Sequence, residues 1–166
     1  MMGGALSGAL KKNGRGDGTV MELYTIGFTQ KTAEQFFGLI RDNRIGLLAD
    51  VRLNNASQLA GFTKGRDLAF FLREICGCAY AHCAELAPTK DILDDYKSGK
   101  IGWDAYADRF IPLIAKRRAA EKLMERYKDV ERLCLLCSEP TPEHCHRRLV
   151  AEEIRKAHPE IKITHL

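Results

Sequence analysis

The sequence contains no long apolar run and no apolar segment at its N-terminus. Residues 1–20 are rich in glycine and lack the hydrophobic core of a secretion signal. No later apolar run reaches the ~20 residues that a membrane-spanning helix needs. These absences predict a chain that is not embedded in a membrane, with residues 1–20 as a disordered extension and residues 21–166 as a single domain.

An excess of charge of one sign is also missing. The net charge is +4, and about half of it is carried by residues 1–20. Such a small excess is not the electrostatic footprint of a nucleic-acid-binding protein. Lys116–Arg118 and Arg147–Arg148 form short basic clusters, for which a solvated helix face is the common explanation. Nucleic acid is therefore a weakly supported partner.

Cysteine, in contrast, is frequent, with 6 residues in the chain. Without a secretion signal, these thiols favour a reducing cytoplasm over a disulfide framework. Cys134 and Cys137 have the spacing of a zinc knuckle, but on a strand they would point to opposite faces. We predict neither a metal nor another cofactor. The remaining zinc alternative uses Cys137, His144, Cys145 and His146.

Five short segments with strand character alternate with amphipathic helices, which predicts an α/β fold. Its sheet would be mostly parallel and covered by helices on both faces, in three layers. The predicted strands are Glu22–Gly27, Gly46–Arg52, Cys78–Ala81, Arg132–Cys137 and Ile161–His165. The predicted helices are Thr32–Asn43 with a Thr32/Gln35 capping box, Arg66–Cys76, Lys90–Ser98, Trp103–Tyr127 with a kink or division at Pro112, and Pro142–Ala157.

The segment Leu133–Val150 carries the strongest functional signal. An uninterrupted apolar strand passes through two prolines into a helix that Thr141 and Pro142 are suited to start. Cys145 would then lie in the first turn, where free N–H groups favour an anion and lower the pKa of a thiol. Helical periodicity places His146 and Arg147 on the buried side. A buried arginine needs an anionic or carbonyl partner, and Glu139 or Asp50 is the predicted one.

The carboxyl ends of parallel strands meet at one edge of a sheet, which is where ligands bind in such folds. This rule brings the charged and polar strand ends together with the predicted helix start. We predict that a small anionic ligand binds there. The predicted catalytic residues are Cys145 as nucleophile with Glu139 and Asp50 as acid or base, and the predicted ligand-binding residues are Arg52, Arg147, His146, Cys137 and Thr29.

Four motifs in order resemble those of the domain of unknown function 488 family. They are Thr25-Ile26-Gly27, Asp50-Val51-Arg52, Leu136-Cys137-Ser138-Glu139 and Cys145-His146-Arg147. The resemblance runs from about Leu23 to Leu166 and implies a compact α/β protein without supplying a reaction. Many members carry a histidine after the first motif, where this chain has Phe28. A mechanism that needs an imidazole at that position is therefore not expected here.

Three functions remain open from the sequence. The first is an enzyme that acts through a thiolate on a substrate bearing phosphate, sulfate or carboxylate. Arg147 follows Cys145 by only two residues, so the longer phosphate loop of cysteine phosphatases is absent. The second is a binding module for a nucleotide or nucleic acid without catalysis, which a salt-dependent gel shift would reveal. The third is a metal-dependent variant that uses the cysteines and histidines of the same edge.

Overall fold

The computed structural model describes residues 20–56 and 60–166. Within these, five strands form one parallel sheet, which confirms the predicted α/β fold. The strands are β1 (Glu22–Gly27), β2 (Leu47–Asp50), β3 (Ala79–His82), β4 (Arg132–Cys137) and β5 (Ile163–His165). Their order across the sheet is β3-β2-β4-β1-β5. The predicted extension over residues 1–20 lies, apart from Val20, outside the described residues.

Helices cover both faces of this sheet. They are α1 (Ala33–Asp42), α2 (Gly65–Phe71), α3 (Lys90–Lys97), α4 (Trp103–Arg117), α5 (Ala119–Arg126) and α6 (His146–Ala157). A single π-helical turn over Leu72–Cys76 continues α2, and 3₁₀ turns lie at Gly61–Thr63 and Ala84–Leu86. The predicted capping box at the start of α1 is present, since Thr32 and Gln35 exchange side chain–backbone hydrogen bonds.

Strand β4 is central and separates two apolar cores. Leu133, Leu135 and Cys137 face one core with side chains of α3, α4, α5 and α6. Cys134 and Leu136 face the other core with side chains of α1 and α2. Burial on both faces explains why this strand is apolar without interruption. It also confirms that Cys134 and Cys137 point in opposite directions, which excludes them as ligands of one metal ion.

The long predicted helix over 103–127 is divided at Arg118 and not at Pro112, so the predicted division at Pro112 is wrong. Arg118 has a left-handed backbone conformation, with φ of 50°, and separates α4 from α5. Pro112 lies within α4 and is exposed. It removes the N–H that would bond to the carbonyl of Asp108, but Asp108 is exposed too, so water can satisfy that carbonyl.

The last helix also begins later than predicted. Helix α6 starts at His146, and Cys145 is its N-cap in an extended conformation. The backbone N–H of Cys145 donates to the carbonyl of Pro142 at 3.2 Å, so residues 142–145 form a separate turn. Glu143 and His144 therefore lie outside the helix, and the predicted placement of Cys145 in a first helical turn is wrong. None of the helices in the described ranges combines the length and the apolar character that crossing a membrane requires.

Candidate functional site

A cavity of about 360 Å³ opens at the carboxyl edge of the sheet, above the ends of β2 and β4. Five of the predicted site residues line it: Arg52, Cys137, Glu139, Cys145 and His146. These side chains come from two neighbouring strands and from the helix that follows the second one. The parallel topology thus assembles at one place residues that lie far apart in sequence.

Cys137 is the last residue of β4 and forms part of the cavity wall with 5% of its surface exposed. A hydrogen bond from the Cys145 thiol is the largest influence on the pKa of Cys137 and lowers it. Burial raises this pKa. The backbone N–H groups of Ser138 and Glu139 and the charge of Arg147 lower it, and the net result is a pKa below the ordinary value of a thiol. The site therefore favours a thiolate at Cys137.

The neighbouring thiol of Cys145 has the opposite character. Its pKa is raised, because it is a hydrogen-bonding partner of Cys137 and because it is buried. The prediction of a lowered pKa at Cys145 is therefore wrong. It assumed a position within the first turn of α6, whereas Cys145 caps that helix and interacts with a second sulfur.

Arg147 is fully buried beside this thiol pair. Its Nε donates to Thr25 Oγ1 at 3.3 Å, and its Nη1 donates to the backbone carbonyl of Glu139 at 2.6 Å and to Cys145 Sγ at 3.3 Å. The predicted ion pair with the Glu139 carboxylate is wrong, because the acceptor is the carbonyl and the Glu139 side chain is exposed. Across the described residues, no carboxylate pairs with Arg147, and Nη2 has no hydrogen-bond partner.

Gly27 at the end of β1 makes this arrangement sterically feasible. A Cβ atom at this position would lie 1.6 Å from the carbonyl oxygen of Glu139 and 3.0 Å from Arg147 Nη1. Only a residue without a side chain lets the loop after β4 approach so closely. The glycine of the first motif is thus required for the hydrogen bond between Arg147 and Glu139.

The second motif forms a different buried pair. Arg52 donates from Nε to Asp50 Oδ1 at 2.8 Å and from Nη2 to Oδ2 at 2.7 Å. Tyr80 also donates to Oδ2, at 2.8 Å, and Arg52 Nη2 reaches the Thr63 carbonyl at 2.7 Å. Asp50 is fully buried and is not part of the cavity wall, so its carboxylate serves Arg52. The Nη1 group of Arg52 is buried and has no hydrogen-bond partner among the described residues.

His146 has a fixed orientation next to the Cys137 sulfur. Its Nε2 lies 2.7 Å from the carbonyl oxygen of Val51, which can only accept, so Nε2 carries the proton of the neutral ring. Cys137 Sγ lies 3.6 Å from Nδ1 and 3.9 Å from Nε2, so the sulfur faces the ring between its two nitrogens. The donor atoms of Cys137, Cys145 and His146 lie within 4.8 Å of one another and could hold a metal ion. His144, the fourth ligand of the zinc alternative, does not belong to this group.

One residue that was expected to bind the ligand lies away from the cavity. Thr29 is exposed and is not part of the cavity wall.

Other features of the site were not predicted from the sequence. An aromatic wall on the opposite side of the cavity was missed, and it consists of Tyr96, Trp103 and Tyr106. The rings of Trp103 and Tyr106 stack with centroids 5.2 Å apart. Their spacing of three residues on one helix was the available signal, but it also fits ordinary core packing.

Together, the sheet and this edge define a parallel α/β protein with a buried thiol pair beside its cavity. The family model of the domain of unknown function DUF488 matches residues 32–154, and the chain belongs to this family. No curated protein and no solved structure matches the chain significantly.

Proposed function

We propose that the protein is an enzyme in which the Cys137 thiolate attacks a small anionic substrate bound in the cavity. The observation that supports this most directly is the environment of the Cys137 sulfur. It receives hydrogen bonds from two backbone N–H groups and from the Cys145 thiol, close to a buried arginine, and lies at the cavity wall. Such surroundings favour a reactive thiolate, whereas an isolated buried thiol is inert.

The cavity offers two kinds of group to an anionic substrate. Lys97 carries a full positive charge at the wall. Arg52 also lines the wall, but Asp50 neutralises it, so it contributes polar N–H groups rather than net charge. Together, they fit a phosphate, sulfate or carboxylate group. The exposed carboxylate of Glu139 is the proton donor or acceptor that remains available at this edge, as Asp50 is fully engaged.

Alkylation kinetics test this proposal on the intact chain. Iodoacetate carries a carboxylate and iodoacetamide does not, so an anion-binding cavity should raise the ratio of their rates at Cys137. We expect this ratio to exceed that at Cys76, a partly exposed thiol that does not line the cavity. We also expect phosphate or sulfate to slow the reaction of Cys137 more than chloride at matched ionic strength.

Two variants serve as controls for this measurement. Lys97→Met should lower the iodoacetate preference at Cys137, and Lys100→Met should leave it unchanged, because Lys100 is exposed and pairs with Asp95 away from the cavity. If Cys137 reacts no faster than Cys76, the proposal that Cys137 is the nucleophile is wrong. If the ratio of iodoacetate to iodoacetamide rates at Cys137 does not exceed that at Cys76, the proposed anionic substrate is wrong.

A metal site is the second candidate, favoured by the 4.8 Å grouping of the Cys137, Cys145 and His146 donor atoms. Two thiolates and one imidazole with an open fourth position form a ligand set that catalytic zinc accepts. Metal analysis of the purified protein separates the two candidates. One equivalent of zinc that disappears in Cys145→Ser would favour the metal, and its absence together with fast alkylation of Cys137 would favour the thiolate.

The nucleic-acid alternative gains no support from the basic clusters. Arg117 donates to the carbonyls of Glu85 and Ala87, and Arg118 pairs with Glu121. Arg147 is buried. These side chains stabilise the protein itself and do not present a continuous basic surface to phosphates.

A further inference from the structure

We propose that Cys137 and Cys145 form a reversible disulfide and that the buried Arg147 shifts the equilibrium towards the two reduced thiols. This inference goes beyond the proposed function and shares only the Cys137 thiolate with it. It adds two-electron redox chemistry to the site and assigns Arg147 a role in that chemistry.

The two sulfurs are already neighbours. Their Sγ atoms lie within 4.8 Å of each other, and a disulfide requires about 2.05 Å. Cys137 ends a central strand, but Cys145 is an extended N-cap after an irregular loop, so Cys145 is the side that can approach. Both residues line the cavity, which gives a small oxidant access to them.

The other cysteines do not compete for this bond. Cys134 and Cys78 face the opposite core, beyond the sheet. Cys83 faces the same core as the pair but has no part in the cavity wall. Among the described residues, the cavity therefore exposes one thiol pair to an oxidant.

A low-molecular-weight disulfide is a sufficient oxidant. The Cys137 thiolate attacks one of its sulfurs, the oxidant's S–S bond breaks, and the first thiol leaves with a proton from solvent. Cys145 then loses its proton and attacks the Cys137 sulfur of the mixed disulfide, and the second thiol is expelled. The two protein sulfurs lose two electrons in total, and the small disulfide is reduced to two thiols.

Arg147 makes the oxidised form the less stable one. In the reduced form, the fully buried Arg147 lies against the thiol pair, with its Nη1 donating to Cys145 Sγ at 3.3 Å, so its charge favours an ionised thiol beside it. A disulfide has no charge, and no carboxylate of the described residues pairs with Arg147 to take its place. An unpaired buried charge is costly, so oxidation is opposed and the disulfide is readily reduced. In the predicted reducing compartment the pair stays as thiols until an oxidant appears.

The experiment equilibrates the full-length protein in mixtures of 2-hydroxyethyl disulfide and 2-mercaptoethanol, followed by acid trapping and mass spectrometry. We expect a loss of two hydrogens and a linked peptide pair that contains Cys137 and Cys145, both reversed by excess thiol. Cys145→Ser should stop at a mixed disulfide on Cys137. Cys76→Ser should behave as the parent does.

The effect of Arg147 is measured as a shift of the midpoint. In Arg147→Met we expect the equilibrium constant for disulfide formation to rise by about tenfold, because the buried charge that favours the reduced pair has been removed. Should this variant fail to fold, the parent decides the question, because its oxidised form is expected to melt at a lower temperature than its reduced form.

Several results would overturn the inference. They are a different cysteine pairing, an oxidised form that melts higher than the reduced form, or Cys137 and Cys145 that never become linked. In the last case, fast alkylation of Cys137 would leave the proposed enzyme intact, so the two failures are distinguishable. A linked pair without anion-selective alkylation would support the disulfide and contradict the proposed anionic substrate.

Discussion

Arg52 and Arg147 are both buried at the carboxyl edge of the sheet, but their charges are compensated in different ways. Arg52 makes a two-point contact with the carboxylate of Asp50, which Tyr80 supports. Arg147 contacts a hydroxyl, a backbone carbonyl and a thiol, and its positive charge contributes to the lowered pKa of the nearby Cys137. A permanent anion therefore balances the first arginine and an ionisable thiol balances the second.

This difference separates structural from chemical roles. The pairing of Asp50 and Arg52 is complete within the fold, so it is suited to fix the ends of β2 and β3. The compensation of the Arg147 charge depends on the state of a cysteine at the cavity wall, so chemistry at that cysteine changes the energetics of the core. The predictions below test this contrast.

Asp50→Ala should have the largest effect on stability. It leaves Arg52 buried without an anion, and breaking a buried pair costs about 3–5 kcal/mol of unfolding free energy. Urea denaturation measures the loss. The control is Asp42→Ala, which removes an exposed pair with Arg41 and should cost less than ~1 kcal/mol. Equal losses in the two variants would show that the Asp50–Arg52 pair is dispensable.

Gly27→Ala should come next, at about 3 kcal/mol, because the new Cβ forces the carbonyl of Glu139 away from Arg147. Gly38→Ala is the matched control. Its Cβ would meet nothing within 4 Å on helix α1, and alanine in a helix should stabilise by about 0.5–1 kcal/mol. Thermal melting compares the two. A Gly27 variant as stable as the parent would mean that the close approach is not needed.

Arg147→Met should cost about 1–3 kcal/mol, less than Asp50→Ala. When Arg147 is removed, Cys137 can take up a proton, so no uncompensated charge stays buried. When Asp50 is removed, Arg52 cannot lose its proton and stays buried as an uncompensated charge. The same variant should raise the pH at which Cys137 becomes reactive towards iodoacetamide. A stability loss as large as that of Asp50→Ala, with an unchanged pH profile, would contradict the thiolate as the counter-charge.

The smallest effect is that of a single buried thiol on the change of stability with each pH unit. Burial raises the pKa of Cys78 and of Cys83 to about 12, from an unfolded value of about 8.5. The unfolded chain therefore loses these protons first, and the stabilisation is lost as pH rises from about 8.5 to about 12. Cys137 has the opposite sign, because its lowered pKa contributes stability that disappears as pH falls through that pKa.

Urea unfolding between pH 7 and about pH 10 checks this balance. We expect stability to fall over the upper part of that range, by about 1 kcal/mol per buried thiol for each pH unit. Cys83→Ala should make the decline shallower. A stability that stays constant up to pH 10 would contradict the raised pKa values.

The sequence was sufficient for the parts of the fold that depend on local pattern. The unbroken apolar run Leu133–Cys137 predicted a strand buried on both faces over Arg132–Cys137, and β4 has those bounds. The capping residues Thr32 and Gln35 predicted the start of α1. The rule that strands of a parallel sheet end at one edge predicted that Arg52, Cys137 and Glu139 lie together, and all three line the cavity.

The parts that depend on long-range contacts were not predictable in this way. Thr141 and Pro142 fit a helix start, but the turn from Pro142 to Cys145 competes and delays α6 to His146. Arg147 has partners on β1 and on the loop after β4. These acceptors are a hydroxyl and a backbone carbonyl, which the pattern of charged residues in the sequence does not reveal. Which of two cysteines holds the thiolate depends on hydrogen bonds that only the folded chain contains.

The position of β4 in the sheet also has a consequence for how the protein is made. Strands β1 and β2 do not pair with each other, because both pair with β4, which comes much later in the chain. A ribosome therefore releases β1, β2 and β3 before the strand that joins them exists. The sheet can close only after Cys137 has left the exit tunnel, and until then the growing chain exposes the apolar strand edges of β1 and β2 that β4 later covers, which favours aggregation.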